Sequence, residues 1–149
     1  MYKLAEIEGI GAQFGHQLMA SGVNTSKDLM DKCGTVDKME QLAQATGIST
    51  KQLTTWMHQA DLMRVSGIGP EFGQLLERSG VESVHELAQR NPENITHLLA
   101  RVNAEKRLTR AVPTLKTVAS WVDKARTMTK TDHLAAEKPG MERASVPSH

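Results

Sequence analysis

The sequence has a single cysteine, Cys33, very few aromatic residues and no long apolar run. One thiol cannot form an internal disulfide, and it leaves a zinc site without its usual ligands. No stretch of 18 apolar residues occurs, and the N-terminus lacks the apolar segment of a signal peptide. We therefore expect a cytoplasmic protein that neither spans a membrane nor is secreted.

Strand signals are also missing. Aromatic residues make up 3% of the chain, and no segment alternates polar and apolar residues as a half-buried strand does. Leucine, alanine, methionine and glutamine are frequent, and these residues favour helices. The composition predicts an all-α protein, whose 149 residues suffice for one compact unit or two small ones.

An internal repeat organises the chain. Residues 9–32 align with residues 67–90 without a gap, and ten of the 24 aligned positions are identical. Both copies contain a glycine-spaced turn, which reads "GIGAQFG" in the first and "GIGPEFG" in the second. After an insertion of seven residues in the second copy, "WMHQA" at 56–60 matches "WVDKA" at 121–125. Duplication of one helical unit explains this pattern.

The repeat suggests three segments. Residues 1–64 and 65–128 are the predicted copies, with five short helices each. Residues 129–149 are rich in Pro, Gly and Ser and show little periodicity, so we expect a disordered tail. The predicted helices are 2–8, 12–21, 26–33, 36–46, 50–64, 70–79, 84–90, 92–101, 104–111 and 115–128.

Helix caps support these bounds. Capping-box spacing occurs at Thr25 with Asp28, at Ser83 with Glu86 and at Ser49 with Gln52, while Asn91 precedes a proline at a first helical position. Apolar residues at helical spacing predict the core, and both tryptophans are expected to be packing anchors. The predicted core residues are Phe14, Leu18, Leu42, Leu53, Trp56, Phe72, Leu75, Leu76, Leu115, Val118 and Val122.

The two Gly-Ile-Gly turns suggest a function. Glycines beside a buried isoleucine can take positive φ, and the helix that follows presents unpaired N–H groups that suit a phosphate. "GIGAQFGHQLMASG" and "GIGPEFGQLLERSG" resemble the helix-hairpin-helix motif. Over about residues 4–128 the chain is similar to an uncharacterised bacterial family of tandem helix-hairpin-helix proteins, known as a domain of unknown function.

That resemblance implies sequence-independent contact between hairpin amides and the backbone of DNA or RNA. The amides concerned are those of Gly9, Ile10, Gly11, Ala12, Gly67, Ile68 and Gly69. The sequence departs from nucleic-acid-binding hairpins in two respects. Glu6, Glu8 and Glu71 flank the turns, where carboxylates repel a phosphate, and few basic residues lie nearby. An alternative is that the hairpins only pack helices and that the protein is a protein-interaction adaptor.

Positive charge is concentrated near the C-terminus. Residues 101–130 contain eight basic and two acidic residues, whereas residues 1–63 contain five basic and seven acidic ones. If the basic side chains share a side with the hairpins, they will attract a polyanion. We expect DNA rather than RNA as that partner, although the sequence does not distinguish the two. The candidates for nucleic-acid binding are Arg101, Lys106, Arg107, Arg110, Lys116, Lys124 and Arg126.

A second alternative concerns residues 39–56. Their apolar residues have the spacing of a helix-turn-helix, and residues 49–58 would form the reading helix. Lys51, Gln52, Thr54, Thr55 and His58 would then reach base edges or phosphates.

Enzymatic chemistry has little support in the sequence. The six histidines lack metal-binding spacing, and neither hairpin is followed by the carboxylate element of a helix-hairpin-helix glycosylase. "SGIGPEFGQ" lacks the lysine and hydroxyl of a phosphate-binding P-loop. We expect a non-enzymatic protein with no catalytic residue, cofactor, metal or small-molecule substrate.

Overall fold

The computed structural model describes the backbone of residues 2–136 and the side chains of residues 2–132. This part of the chain is all-helical, as predicted: it contains eight α-helices and no strand apart from an isolated bridge between Lys3 and Thr25. A single 3-10 turn, Leu4–Glu6, stands where a helix over 2–8 was predicted. The helices are α1 Gly11–Ala20, α2 Ser26–Lys32, α3 Val36–Thr46, α4 Thr50–Leu62, α5 Pro70–Arg78, α6 Val84–Ala88, α7 Pro92–Lys106 and α8 Leu115–Ala136.

The predicted capping residues are found at the N-terminal ends of their helices. The Thr25 hydroxyl accepts a hydrogen bond from the Asp28 N–H, and the Asp28 carboxylate accepts from the N–H of Thr25, which completes the capping box of α2. The Ser49 and Ser83 hydroxyls and the Asn91 side chain cap α4, α6 and α7. Short-range signals therefore set four of the helix starts.

The C-terminal third differs from the sequence prediction. Residues 92–101 and 104–111, predicted as two helices, give one helix, α7, which ends where Arg107 adopts a left-handed conformation with φ of 52°. The helix predicted over 115–128 continues to Ala136 in α8. The predicted start of the disordered tail, residue 129, is therefore too early. Residues 137–149 lie outside the described part of the chain.

One hydrophobic core joins the two halves of the sequence. Helix α4 packs against α2, α3 and α5, and α8 packs against α6 and α7. Trp56 and Trp121 are each only 1% exposed, so their predicted role as packing anchors is confirmed.

Two predicted core residues are wrong. Phe14 is 39% exposed because only one side of its ring packs on Trp56, and Leu115 is 44% exposed because it is the first residue of α8. The remaining predicted core residues are buried or, in the case of Phe72, half-buried.

Candidate nucleic-acid interface

The two glycine-spaced turns share the conformation of their first glycine and differ at the second, since Gly11 has φ of 66° and Gly69 has φ of −92°. Gly9 and Gly67 have φ values of 95° and 99°, a region that glycine enters without the steric penalty of a Cβ atom. The isoleucines that follow, Ile10 and Ile68, are buried in the core. The alternation of an exposed glycine and a buried isoleucine fixes each turn against the helices behind it.

An indole lies behind each turn. A Cβ atom placed on Gly9 would lie 3.3 Å from Nε1 of Trp56, and one placed on Gly67 would lie 3.1 Å from Nε1 of Trp121. Each tryptophan also stacks at a tilt on a phenylalanine of the helix after the turn. The ring centroids are 5.4 Å apart for Phe14 and Trp56 and 5.1 Å apart for Phe72 and Trp121. Both hairpins are therefore rigidly supported from the core side.

Not all of the predicted amides are free to bind a ligand. The Ile10 N–H donates to the Ile7 carbonyl at 3.3 Å, and the Ile68 N–H donates to the Val65 carbonyl at 3.0 Å. Since these two donors are used inside the turns, Ile10 and Ile68 do not offer amides to a phosphate. The N–H groups of the remaining candidates have no acceptor in the described part of the chain: Gly9, Gly11, Ala12, Gly67 and Gly69.

The first hairpin has acidic surroundings. Glu8, half-buried, directly precedes Gly9, whereas the aligned residue before Gly67 is Ser66. The Glu6 carboxylate accepts a hydrogen bond from the Lys3 N–H at 2.9 Å and so belongs to the cap of the 3-10 turn. Near the second hairpin, Glu71 is exposed in the first turn of α5. Glu8 is thus the carboxylate closest in sequence to either turn.

Among the basic candidates, Lys124 reaches a hairpin. Its Nζ donates to the Ser66 carbonyl at 2.9 Å, across 58 residues of sequence. The same Nζ lies 3.9 Å from the Cβ position of Gly67. An ammonium group therefore lies at the backbone of the second turn, on the carbonyl side of the trans Ser66–Gly67 peptide, whereas the Gly67 N–H points to the other side.

The first hairpin lacks this lysine. In the alignment of "WMHQA" with "WVDKA", Gln59 takes the place of Lys124. Gln59 is 1% exposed, and its side-chain amide nitrogen has no hydrogen-bond partner among the described residues. The repeat alignment already shows this difference between the hairpins. Only the structure shows that Lys124 contacts the hairpin, at Ser66.

Arg126 makes hydrogen bonds within the fold. Its Nε donates to the Ala88 carbonyl at 2.9 Å and its Nη2 to the Arg90 carbonyl at 3.4 Å. These bonds satisfy carbonyl groups at and after the C-terminal end of α6. The Arg126 guanidinium is therefore hydrogen-bonded to backbone groups of the protein itself. The other predicted basic residues away from the hairpins are exposed: Arg101, Lys106, Arg107, Arg110 and Lys116.

The two arginines near the second hairpin in sequence are paired with acids. Arg64 lies 2.8 Å from the Asp61 carboxylate and 3.7 Å from Asp132, and Arg78 Nε lies 3.8 Å from Glu77. Burial lowers the pKa of Arg64, but its hydrogen bonds and charge interactions with Asp61 and Asp132 outweigh burial and leave the pKa raised. Neither arginine adds an unpaired charge to the hairpin.

The proposed reading helix is enclosed. Helix α4 packs against α2, α3 and α5. Of its five candidate side chains, only Lys51 is exposed. The Thr54 hydroxyl donates to the Thr50 carbonyl, and His58 Nδ1 lies 3.7 Å from a Glu77 carboxylate oxygen. The other four candidate side chains of the helix-turn-helix alternative are half-buried.

Cys33 is buried, and burial raises the pKa of its thiol to about 11, so the nucleophilic thiolate is scarce near neutral pH. Within residues whose side chains are described, no cluster of His, Cys, Asp and Glu is suited to a metal ion. None of the described helices has the length and apolar character needed to cross a bilayer.

No curated protein and no solved structure shows significant similarity to the chain. A family model does match it: residues 8–128 fit the domain of unknown function DUF4332. The match covers both hairpins, all eight helix starts and most of the chain, so the protein belongs to the DUF4332 family.

Proposed function

We propose that the protein binds nucleic-acid backbones without catalysing a reaction, and that its two matching turns are duplicated helix-hairpin-helix motifs. The paired glycines, isoleucines, phenylalanines and tryptophans support a common origin of the two turns. Contacts through backbone amides and an ammonium group do not distinguish between bases, so binding is largely independent of sequence. Such a protein would act in the cytoplasm, and DNA is the first ligand to test.

The observation that carries the proposal is the position of Lys124. Its ammonium group, bonded to the Ser66 carbonyl, adds a positive charge to the second hairpin, where the Gly67 and Gly69 amides are free. A phosphate at this point would accept charge-assisted hydrogen bonds, which are about twice as strong as neutral ones. Lys116, two helical turns earlier on α8 and about 12 Å away along the helix axis, could contact the same strand.

The first hairpin contributes less to binding in this proposal. Glu8 stands where the second hairpin has Ser66, and the buried Gln59 stands where it has Lys124. A phosphate at Gly9 would meet a carboxylate and no cation, although the amides of Gly9, Gly11 and Ala12 are free. We therefore propose that the second hairpin makes the main contact with the nucleic acid.

Salt dependence tests the proposal. With roughly three to five phosphate contacts, a plot of log affinity against log salt for a duplex should have a slope of about −3 to −4. Fluorescence anisotropy with single- and double-stranded oligonucleotides at several salt concentrations measures this slope. No binding at low salt, at protein concentrations up to about 100 μM, would contradict the proposal.

A substitution at Gly69 tests the site itself. Gly69 has φ of −92° and no neighbouring heavy atom where a Cβ would lie, and the residue before a proline prefers extended backbone. Gly69→Val therefore keeps the fold and the N–H but covers the amide with two methyl groups. We expect affinity to fall by about tenfold or more, whereas Lys51→Gln, which removes a positive charge on α4, should change it less than about twofold.

A protein-interaction adaptor is the second candidate function. It is favoured by the exposure of several large apolar side chains, among them Phe14, Met19 and Val36. An adaptor would bind a protein partner with little dependence on salt and would not respond to Gly69→Val.

A further inference from the structure

A groove between α2, α3, α4 and the residues that begin α6 lies outside the proposed nucleic-acid site. It consists of two adjoining cavities of about 400 and 390 Å³, which meet at Gly34 and Met57. The first cavity lies between α3 and α4, and the second lies between α4 and the start of α6. Gly34 carries no side chain and Met57 is flexible, so the two cavities can accept one elongated ligand.

The walls of this groove are rich in methionine. Met30, Met39 and Met57 pack against the core but are only partly buried, and Val36 at the edge is 73% exposed. Methionine side chains are flexible and polarisable, and surfaces built from them adapt to apolar side chains of different shapes. The groove can therefore take several apolar side chains of another molecule.

The rim of the groove is acidic. Glu40 lies at the α3 end, Glu82 and Glu86 lie at the α6 end, and all three residues are exposed. The Glu86 carboxylate accepts a hydrogen bond from the Glu82 N–H at 3.0 Å, which holds these two residues together. Among the residues whose side chains are described, no lysine or arginine lines either cavity.

The other charged groups at the groove do not cancel this acidic rim. Asp61 and Arg64 form an ion pair at 2.8 Å and offset each other. His58 Nε2 lies 4.0 Å from a Glu82 carboxylate oxygen, and His58 Nδ1 lies 3.7 Å from a further carboxylate, that of Glu77. Acidic groups thus outnumber the imidazole that stands among them.

The lysines that are close in sequence also leave the rim acidic. Lys27 pairs with Asp31 at 3.1 Å, and Lys32 and Lys38 line a different cavity. Lys51 is exposed in the first turn of α4, next in sequence to a residue of the groove. Even when Lys51 is counted, the three exposed carboxylates of the rim outnumber one ammonium group.

We infer that this groove binds a basic amphipathic helix of a partner protein. Apolar residues of that helix, spaced by three or four positions, would enter the two cavities, while its lysines and arginines would face the acidic rim. Charge complementarity of this kind speeds association and excludes wrong partners. The same carboxylates repel a phosphate backbone, so the groove favours a protein over a nucleic acid.

NMR of the isotope-labelled full chain tests this inference. The probe is a synthetic peptide of about 18 residues, or five helical turns, with leucines at helical spacing and lysines elsewhere. Amide shifts should change around Gly34, Val36, Met39 and Met57 and should saturate with a Kd of roughly 100 μM or below. A peptide of the same pattern with glutamate in place of each lysine should leave these shifts unchanged.

Four outcomes of these titrations would overturn the inference. Two of them are the absence of shift changes up to about 1 mM peptide and equal binding of the glutamate peptide. The third is a change at the groove amides when the protein alone is concentrated, which would assign the groove to a second copy. The fourth is a change there on addition of an oligonucleotide, which would assign it to nucleic acid.

Charge reversal tests the rim. Glu40→Lys combined with Glu82→Lys should weaken binding of the lysine peptide by about tenfold or more, because cations then face cations. Glu105→Lys combined with Asp123→Lys changes the net charge equally at exposed residues of α7 and α8, outside the groove. This control should bind within about twofold of the wild type, and equal losses in both double variants would contradict a site at the groove.

A substitution at Met57 tests the apolar walls. Met57→Gln keeps the length of the side chain but makes the junction of the cavities polar, and should weaken binding by roughly fivefold. Met19→Gln, the same change at an exposed residue of α1, should alter affinity less than about twofold. Equal affinities of the two variants would overturn the role of the groove. Circular dichroism checks folding, and the charge-reversed protein carries the test if Met57→Gln unfolds.

This inference is independent of the proposed function. Gly69→Val should leave peptide binding unchanged, because residue 69 lies outside the groove. The combined Glu40→Lys and Glu82→Lys variant should lose peptide binding and keep its affinity for oligonucleotides. Loss of both activities in that folded variant would contradict two separate sites.

Discussion

Gly67 lies directly against Trp121: a Cβ atom at residue 67 would stand 3.1 Å from the indole Nε1, closer than ordinary van der Waals contact. The glycine also has φ of 99°. The second hairpin therefore depends on the absence of a side chain at this position for two separate reasons, one conformational and one steric.

Gly67→Ala should destabilise the protein by about 2–4 kcal/mol, since the strained backbone and the overpacked indole each cost roughly 1–3 kcal/mol. Gly69→Ala is the matched control, because residue 69 has negative φ and open space at the Cβ position. It should change the free energy of unfolding by less than about 1 kcal/mol. Urea unfolding followed by circular dichroism measures both, and equal effects of the two substitutions would refute the described turn.

Lys124 should matter for binding more than other lysines of α8. Lys124→Gln copies the residue of the first hairpin, removes the ammonium group from Ser66 and should weaken oligonucleotide binding by roughly fivefold to tenfold. The magnitude of the salt slope should fall by about one. Lys130→Gln removes the same charge from an exposed site on the same helix. If anisotropy titrations give equal losses of affinity for both variants, the loss reflects net charge. The proposed binding site at the hairpin is then wrong.

The sequence predicted those parts of the fold that depend on short-range signals. Thr25 with Asp28, and Asn91 before Pro92, start helices by contacts within four residues, and these starts are where we expected them. The tryptophans were assigned correctly to the core because helical spacing places them on an apolar face. Charge patterning identified Lys124 as a candidate but could not place it beside Ser66, since that contact depends on the packing of α8.

The incorrect predictions also have physical causes. Residues 104–111 have helix-forming composition, yet the helix ends at Arg107 because the Asn103 side chain takes up the N–H groups of Leu108 and Thr109. Such a local side-chain cap leaves no periodicity in the sequence. Charge patterning also could not show that the Arg126 guanidinium donates to the Ala88 carbonyl at the end of another helix.

Asn103 should therefore be a large contributor to stability for a polar residue. Asn103→Ala leaves two half-buried N–H groups and one carbonyl without their partner, and should cost about 1–3 kcal/mol. Asn103→Asp keeps the two bonds in which the side chain accepts and loses the one in which it donates, so it should cost less. Thermal and urea unfolding rank the two variants, and a smaller loss for alanine than for aspartate would contradict the arrangement.

The capping box of α2 should make stability depend on pH. Backbone hydrogen bonds hold the pKa of Asp28 below its ordinary value; the bond from the Asn24 N–H is the largest cause, and the Thr25 N–H adds to it. A carboxyl group whose pKa is lower in the folded state stabilises that state above its unfolded pKa of about 3.9. The stabilisation disappears as pH falls through the folded pKa. Asp28→Asn keeps the shape and removes the charge.

The wild type should therefore be more stable than Asp28→Asn at pH 7, and the gap should close as the pH falls through the lowered pKa of Asp28, since both side chains are then neutral. Asp31→Asn is the control, because Asp31 lies on the same helix and pairs with the exposed Lys27 rather than with backbone N–H groups. Its effect should be small, as for other exposed ion pairs. Melting temperatures of the three proteins across this pH range test the prediction, and a constant gap between wild type and Asp28→Asn would show that the Asp28 charge does not stabilise the helix start.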